Sequence, residues 1–226
     1  MTAAALRTGS VPPLDAARAS QAQHPSRSGL FEMMGAKIAY ARNEEIYGEG
    51  EQAEYLYRLR SGCVRTYKVL QDGRRQISAF YLPGDIFGLE AGEEHTSSAE
   101  ASATSEVIVV KRSLLNSRAS GDSTLARTLL DLTVTELQRA QAHATLLIKS
   151  AQERVVAFLL DLAAREHAAN DVEIPMSRQE IADYLGITIE TVSRTLTQLE
   201  ALATIALPTS RRVTLRNRSA LAKINA

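Results

Sequence analysis

The segment RQEIADYLGITIETVSRTL (178–196) places the tightest limits on how this chain can fold. Apolar residues occupy one helical face before Gly186, and a second apolar series starts at Ile187. Ala182 is small enough to let a second helix cross the first closely, and Gly186 stands where the turn needs a left-handed residue. Thr188 is a candidate N-cap for the second helix. The segment therefore predicts a helix-turn-helix.

The second helix of this segment carries the candidate base-reading residues. Four of them lie near its N-terminal end: Ile189, Glu190, Ser193 and Arg194. That end enters the major groove in helix-turn-helix proteins. Arginine can donate two hydrogen bonds to guanine, and glutamate can accept one from cytosine. A surface salt bridge between Glu190 and Arg194, worth only about 0.3–0.5 kcal/mol, is the alternative. The two interpretations are compatible, because the glutamate can orient the arginine toward a base.

A basic hairpin is predicted after the second helix, in the segment IALPTSRRVTLR (205–216). Such a wing can place a cationic tip on phosphate, although an ordinary solvated basic turn is the alternative. The candidate contacts to the DNA backbone are Thr188, Thr191, Thr195, Gln198, Arg211 and Arg212. The whole chain has 26 basic and 26 acidic residues, but residues 177–226 contain seven basic and four acidic ones. This local excess favours an anionic partner for the C-terminal end.

An apolar stripe precedes the helix-turn-helix. Its members alternate four and three residues apart: Leu130, Val134, Leu137, Ala144, Ile148, Ala151 and Val155, with Gln141 in the one polar position. Heptad spacing over about 25 residues is typical of a helix that pairs with a second copy. Packing of this helix on its own β-domain is the alternative. We predict one continuous helix whose eight stripe residues form a homodimer interface.

The region from Ile38 to Val110 has the pattern of a β-domain. Short runs of β-branched and aromatic residues alternate with Gly-containing turns. Asp72-Gly73 predicts a hairpin with a type I′ turn, in which both central residues have positive φ. Many short strands at close spacing indicate a sandwich or a barrel.

The few residues with reactive side chains exclude several classes of site. Cys63 is the sole cysteine, so no intrachain disulfide and no thiolate-ligated metal site are expected. It is predicted to be a small packed strand residue. His95 is the sole histidine from Ile38 to Val110 and is predicted to lie in a solvated acidic loop with Glu93 and Glu94. A cupin-like metalloenzyme, which needs several inward-facing ligands, is the remote alternative. We expect no enzyme activity and no bound metal.

In this order the segments resemble the Crp/Fnr superfamily of bacterial transcription factors, over about residues 38–213. The resemblance is greatest to the FixK branch, in the stretch SGCVRTYKVLQDGRRQISAFYLPGDIFGLEAG (61–92) and the string ETVSR (190–194). It implies an α+β fold: an N-terminal β-roll of the cyclic-nucleotide-binding, jelly-roll type, a long dimerisation helix and a C-terminal winged helix-turn-helix. The expected divisions are a disordered tail (1–28), the β-roll (29–121), the helix and hinge (122–169) and the DNA-binding domain (170–226).

The same resemblance implies a mode of DNA recognition. In Fnr- and FixK-type members a Glu, a Ser and an Arg read a TTGAT-like half-site, and these fall on Glu190, Ser193 and Arg194. Ile189 stands where cyclic-AMP receptors have an Arg. The expected function is therefore that of a cytoplasmic, homodimeric regulator, an activator, that binds a TTGAN₆TCAA palindrome and contacts RNA polymerase. FixK-type regulators commonly serve genes of microoxic respiration, denitrification or nitrogen fixation. We expect no membrane association, since no stretch approaches the roughly 20 apolar residues that cross a bilayer.

Three departures from the relatives qualify this expectation. The stretch GLEAGEEHTSSAEA (88–101) has no Arg for a nucleotide phosphate, and Glu93 and Glu94 would repel one. The N-terminal region has none of the cysteines that hold the iron–sulfur cluster of Fnr, so no cofactor is expected. An unidentified small-molecule effector in the β-roll is the open alternative. Ala203 replaces a Gly that commonly precedes the wing in the relatives. Ala would cost about 1 kcal/mol at the positive φ that such a Gly supplies, so we expect a change in either the wing geometry or the stability of the domain.

Overall fold

The computed structural model describes residues 27–225 of the 226-residue chain. Residues 1–26 of the predicted N-terminal tail lie outside the described residues, and residues 27 and 28 are the first two of a helix. No helix within the described range is both long and apolar enough to cross a membrane.

The N-terminal half is a β-roll of two four-stranded sheets. Its elements are α1 (Arg27–Met34), β1 (Ala36–Tyr40), β2 (Glu45–Tyr47), β3 (Tyr55–Ser61), β4 (Val64–Val69), β5 (Arg75–Tyr81), β6 (Ile86–Phe87), β7 (Ser98–Ala101) and β8 (Ser105–Lys111). One sheet has the order β1-β8-β3-β6 and the other the order β2-β7-β4-β5, and the pairs are antiparallel. Leu59, Val64, Phe87 and Val107 pack between the sheets. The predicted β-roll is therefore confirmed.

The hairpin between β4 and β5 is confirmed, but the predicted turn type is wrong. Gly73 has a φ of 80°, whereas Asp72 does not have a positive φ. The Asp72 carboxylate instead accepts hydrogen bonds from the backbone N–H and the side chain of Arg74. This local turn replaces the left-handed conformation that a type I′ turn would impose on Asp72.

The predicted continuous helix is in fact two helices. After α2 (Arg112–Ala119), α3 runs over Ser123–Leu146 and α4 over Ala151–Arg165. Ser150 ends the interruption because it caps α4: its hydroxyl accepts from the N–H of Glu153, and the Glu153 carboxylate accepts from the N–H of Ser150. A reciprocal cap of this kind starts a new helix rather than continuing the old one.

The C-terminal domain is a winged helix-turn-helix. It consists of β9 (Asp171–Glu173), α5 (Arg178–Leu185), α6 (Ile189–Ala201), β10 (Ile205–Thr209), β11 (Arg212–Leu215) and α7 (Arg218–Ile224). The wing is a three-stranded sheet in the order β10-β11-β9. Strand β9 was not predicted. Its residue Val172 is fully buried.

The two domains share one hydrophobic core. Residues of the β-roll, among them Ile77 and Phe80 on β5, belong to the same cluster as Val155 of α4 and Ile181 and Leu185 of α5. The β-roll therefore packs directly on the first helix of the helix-turn-helix.

Candidate nucleic-acid interface

Local hydrogen bonds set the geometry of the helix-turn-helix. Ser177 and Glu180 form a capping box at the start of α5. Helix α5 ends at Gly186, which has a φ of 61° and a ψ of 38°, as the sequence predicts. Thr188 caps α6 by accepting a hydrogen bond from the N–H of Thr191, which confirms its predicted role as N-cap.

Helix α6 has one face in the core and one toward solvent. Val192, Leu196 and Leu199 are buried. Glu190 and Arg194 are exposed on the other side, where Ser193 is half-buried. The half-buried Ile189 packs at the edge of the core. The candidate base-reading residues thus form a continuous surface at the N-terminal end of the helix.

The two charged groups of this surface, Glu190 and Arg194, have different hydrogen-bond surroundings. The pKa of Glu190 lies below its usual value, because its own backbone N–H and the Thr188 hydroxyl donate to the carboxylate. Glu190 is therefore an ionised hydrogen-bond acceptor. Among the described residues, no ion pair joins Glu190 to Arg194, so the alternative of a surface salt bridge is not observed. The Arg194 guanidinium can donate to a base edge without first leaving an intramolecular partner.

One predicted backbone contact is wrong. Thr195 is 4 % exposed and lies on the buried face of α6, three residues after Val192 and four before Leu199. Its hydroxyl cannot reach a phosphate, whereas Gln198 is exposed. The Thr191 hydroxyl lies 3.1 Å from that of Thr188 at the start of the helix.

The two wing arginines are exposed but have protein partners. Arg211 Nη1 donates to the carbonyl oxygen of Pro175 at 2.8 Å. Arg212 Nη2 lies 3.1 Å from Glu173 Oε1, its cross-strand neighbour on β9. A solvent-exposed pair of this kind contributes at most about 1 kcal/mol, so phosphate can compete for the arginine.

Strand β9, which carries Glu173, was not predicted from the sequence. The alternation of polar and apolar residues in Asp171–Glu173 was the available signal for it.

Ala203 keeps the left-handed conformation that a Gly would supply, so of the two expected outcomes the structure shows the one with a strained backbone. Its φ is 53°, in the left-handed region. The turn after α6 is closed by hydrogen bonds from the N–H of Ala203 to Glu200 O and from the N–H of Thr204 to Leu199 O. The position therefore has the backbone of a glycine C-cap and the side chain of an alanine.

The predicted dimer stripe divides at the interruption between α3 and α4. Leu130 and Leu137 are 62 % and 57 % exposed, and Val134 is exposed as well. Gln141 and Ala144 continue this exposed series on α3.

Beyond α3 the assignment of stripe residues needs correction. Ile148 is exposed but lies outside both helices, and Ala151 begins α4 half-buried. Val155 is 1 % exposed in the core of the winged domain, so it cannot serve a dimer interface. The new cap at Ser150 redirects α4 so that its apolar face packs within the chain.

Two reactive side chains of the β-roll are buried. Cys63 lies in the turn between β3 and β4 rather than in a strand, and burial raises the pKa of its thiol to about 12. His95 is only 2 % exposed, and its ring stacks on that of Tyr47 with the centroids 3.6 Å apart. The prediction of a solvated loop is therefore wrong for His95, although Glu93 and Glu94 are exposed. Residues 27–225 contain no group of three or more His, Cys, Asp or Glu side chains that could hold a metal ion.

A cavity of about 440 Å³ lies between the β-roll and the helices α3, α4 and α5. Its lining includes Arg139 and Arg165, and both guanidinium groups contact the carboxylate of Asp85 at 2.6 Å. His143, also in the lining, stacks on Tyr184, and its ring Nε2 lies 2.8 Å from the Tyr184 carbonyl oxygen. Burial lowers the pKa of His143, and this hydrogen bond partly opposes the shift.

Comparisons with known proteins agree with this architecture. A model of the cyclic nucleotide-binding domain matches residues 37–120, and one of the Crp-like helix-turn-helix domain matches residues 153–224. The nitrogen fixation regulation protein FixK of Azorhizobium caulinodans is 54 % identical over 198 residues, which cover 85 % of this chain and 80 % of that protein. FixK of Rhizobium meliloti is 40 % identical, covering 85 % and 90 %. The structure of FixK2 from Bradyrhizobium japonicum matches with a TM-score of 0.83 at 47 % identity and covers 85 % of this chain and 98 % of that one.

Proposed function

Because the chain belongs to the Crp/Fnr family of transcription regulators, in its FixK branch, we propose that it binds a TTGAN₆TCAA palindrome as a homodimer and activates transcription. The observation that carries this proposal is the surface at the N-terminal end of α6. There Glu190 and Arg194 are exposed and not paired with each other. A recognition helix presents this end to the major groove.

Base recognition is assigned to the four residues that the sequence singles out. Arg194 donates two hydrogen bonds to a guanine, and the ionised Glu190 accepts one from a cytosine amino group. Ser193 donates to a neighbouring base. Ile189 contributes an apolar contact at the position where cyclic-AMP receptors have an Arg.

Contacts with the DNA backbone are assigned to residues around this surface. The candidates are Thr188, Thr191, Gln198, Arg211 and Arg212. The two arginines exchange their protein partners for phosphate, which costs little at an exposed site. Such contacts set the register of the protein on the duplex and carry no sequence information of their own.

Homodimerisation is assigned to the exposed stripe on α3, from Leu130 to Ala144. A helix of 24 residues is about 36 Å long, enough for several turns of contact with a second copy. A two-fold axis along this helix would place two recognition helices on successive major grooves, as the palindrome requires.

The biological role is proposed by analogy with the relatives. Two of them are named for the regulation of nitrogen fixation. We assign this chain to the same kind of regulon, which includes genes of microoxic respiration, denitrification or nitrogen fixation. It would act in the cytoplasm through RNA polymerase and without enzyme activity, since the relatives are regulators rather than enzymes.

Fluorescence anisotropy on a labelled TTGAN₆TCAA duplex, without added ligand, tests the proposed readout. The wild-type protein is expected to bind tightly and to discriminate against a duplex in which the G·C pair of each half-site is changed. Arg194→Ala should lose about 1–3 kcal/mol of binding free energy for each base contact.

Arg118→Ala is the matched control, because it removes the same charge from the exposed surface of α2 in the β-roll. It should bind like the wild type. Equal affinity of the wild type for both duplexes would contradict the proposed readout, and so would equal losses in the two variants.

A second candidate function is the same regulator gated by a small molecule, and the 440 Å³ cavity favours it. The cavity is lined by the carboxylates of Glu90, Glu136 and Asp161 and by arginines that are already paired. This charge pattern disfavours a cyclic nucleotide phosphate and suits a neutral or cationic ligand. A tenfold tightening of operator binding by cyclic AMP, haem or a metabolite would replace effector independence with this mode.

A further inference from the structure

The β-roll holds the first helix of the helix-turn-helix through ion pairs. Arg65 on β4 is 2 % exposed, and its guanidinium contacts the carboxylates of Glu180 on α5 and Glu100 on β7. Glu180 is itself only 2 % exposed, and its second carboxylate oxygen lies 3.6 Å from Arg42. A buried arginine therefore connects the two domains through a carboxylate at the start of α5.

A second ion pair joins the β-roll to α5, this time from strand β5. Arg75, the first residue of β5, donates from Nε and Nη2 to Asp183 Oδ2 at 3.1 and 3.0 Å. The same contact includes an apolar part, in which the ring centroids of Phe80 and Tyr184 lie 5.2 Å apart. Helix α5 is thus held on the β-roll by two ion pairs and an apolar contact.

The physical chemistry of these pairs favours one discrete orientation. A displacement of α5 that leaves the interface dry would separate Glu180 from Arg65, which would keep only Glu100 as an ion-pair partner. Removing one partner from a buried pair is strongly destabilising, because the other charge is left unpaired. The recognition surface on α6 does not take part in this contact and stays exposed. The docked orientation therefore leaves the recognition surface uncovered by the β-roll.

We propose that Arg65 and Arg75 are positioning residues which, through Glu180 and Asp183, hold the winged domain in the orientation that reads the operator. The inference rests on the proposed function, since a palindrome demands a fixed separation of two recognition helices. A domain that samples other orientations is binding-competent for only part of the time, and its apparent dissociation constant rises in proportion. The ion pairs would thus supply the fixed orientation that an effector supplies in a gated regulator.

The test is a charge exchange at the more accessible pair, because variants of buried Arg65 can fail to fold. Arg75→Asp and Asp183→Arg should each weaken binding to the TTGAN₆TCAA duplex by about tenfold, within the range of typical coupling between sites. The double variant Arg75→Asp/Asp183→Arg should restore the affinity to within about threefold of the wild type. A merely destabilising effect would accumulate in the double variant and would not be rescued.

Arg74→Asp is the matched control. It makes the same charge change one residue away, but Arg74 is exposed and pairs with Asp72 within its own hairpin. It should bind the operator like the wild type. Affinity for a duplex of unrelated sequence should shift equally in Arg74→Asp and Arg75→Asp, since that binding reports charge rather than domain orientation.

Hydrogen exchange of the free protein separates failure of this inference from failure of the proposed function. Amides of α5 and β5 should exchange faster in Arg75→Asp, and the double variant should restore their protection. The inference is overturned if Arg75→Asp binds the operator as tightly as the wild type, if it binds more tightly, or if the double variant is not rescued. A wild-type protein that ignores the palindrome would instead refute the proposed readout, and unchanged exchange in Arg75→Asp would still refute the positioning role.

Discussion

The apolar stripe has two halves with the same spacing and opposite environments. On α3, Leu130 and Leu137 are exposed, and nothing else in the described chain covers them. On α4, Val155 is buried in the core of the winged domain, and so is Leu159, which lies one turn beyond the last stripe residue. Heptad spacing therefore identifies which face of a helix is apolar, but it does not identify the element that packs against that face.

A short interruption separates the two halves. Residues 147–150 are not helical, and the capping box of Ser150 and Glu153 starts α4 in a new direction. The α4 half consequently packs on α6 and α7 within the chain. The α3 half remains available to a second copy, which gives three ways to test the difference.

The largest effect is expected in the buried half. Leu159→Ala should lower the free energy of unfolding by about 2–5 kcal/mol, because it removes apolar contacts and leaves a cavity. Urea denaturation followed by circular dichroism at several protein concentrations measures this loss. The loss at Leu159 should not depend on concentration, since the contact lies within one chain.

Leu137→Ala is the counterpart in the exposed half. Its effect should fade as the protein is diluted and the chains separate. Leu137→Ala could instead lower the free energy of unfolding as much as Leu159→Ala at every protein concentration. The α3 and α4 halves of the stripe would then not differ in the way the structure indicates.

An intermediate effect is expected on association itself. Leu137→Glu places a charge in the proposed dimer interface and should raise the dimer dissociation constant at least tenfold, about 1.4 kcal/mol. Sedimentation equilibrium measures it. Leu114→Glu is the control, because Leu114 on α2 is similarly exposed at 50 % and lies off the stripe. Similar dissociation constants for both variants would contradict an interface on α3.

The parts of the molecule that the sequence predicts well are those set by local chemistry. The turn at Gly186 and the cap at Thr188 each depend on residues within a few positions of one another. Such features follow from rotamer, capping and φ preferences that do not change with the fold. They were enough to predict the helix-turn-helix and to find the exposed end of its second helix.

The errors concern residues whose environment depends on distant segments. Val155 is buried by the helices α5 and α6, and His95 is buried against Tyr47 of another strand. Contacts of this kind cannot be read from spacing alone. Thr195 is different, because its distances of three from Val192 and four from Leu199 place it on the apolar face, so helical periodicity already contained the correct assignment.

The smallest effect is expected in the winged domain, which buries the α4 half of the stripe. It tests whether this domain unfolds independently of the proposed dimer interface on α3. Ala203→Gly relieves a φ of 53° in that domain and should raise its free energy of unfolding by about 0.5–1 kcal/mol. The dimer dissociation constant should stay unchanged, since α3 has its main contacts with α2 and β5 rather than with α6 or β10. Ala201→Gly is the matched control: Ala201 is also exposed, but it is the last residue of α6 and has no positive φ. Glycine there should destabilise the helix by a similar amount.

The same substitution at two positions two residues apart should therefore change the free energy of unfolding, measured by urea denaturation, in opposite directions. If both variants lowered the free energy of unfolding, Ala203 would not be strained. If Ala203→Gly changed the dimer dissociation constant, the two halves of the stripe would be coupled.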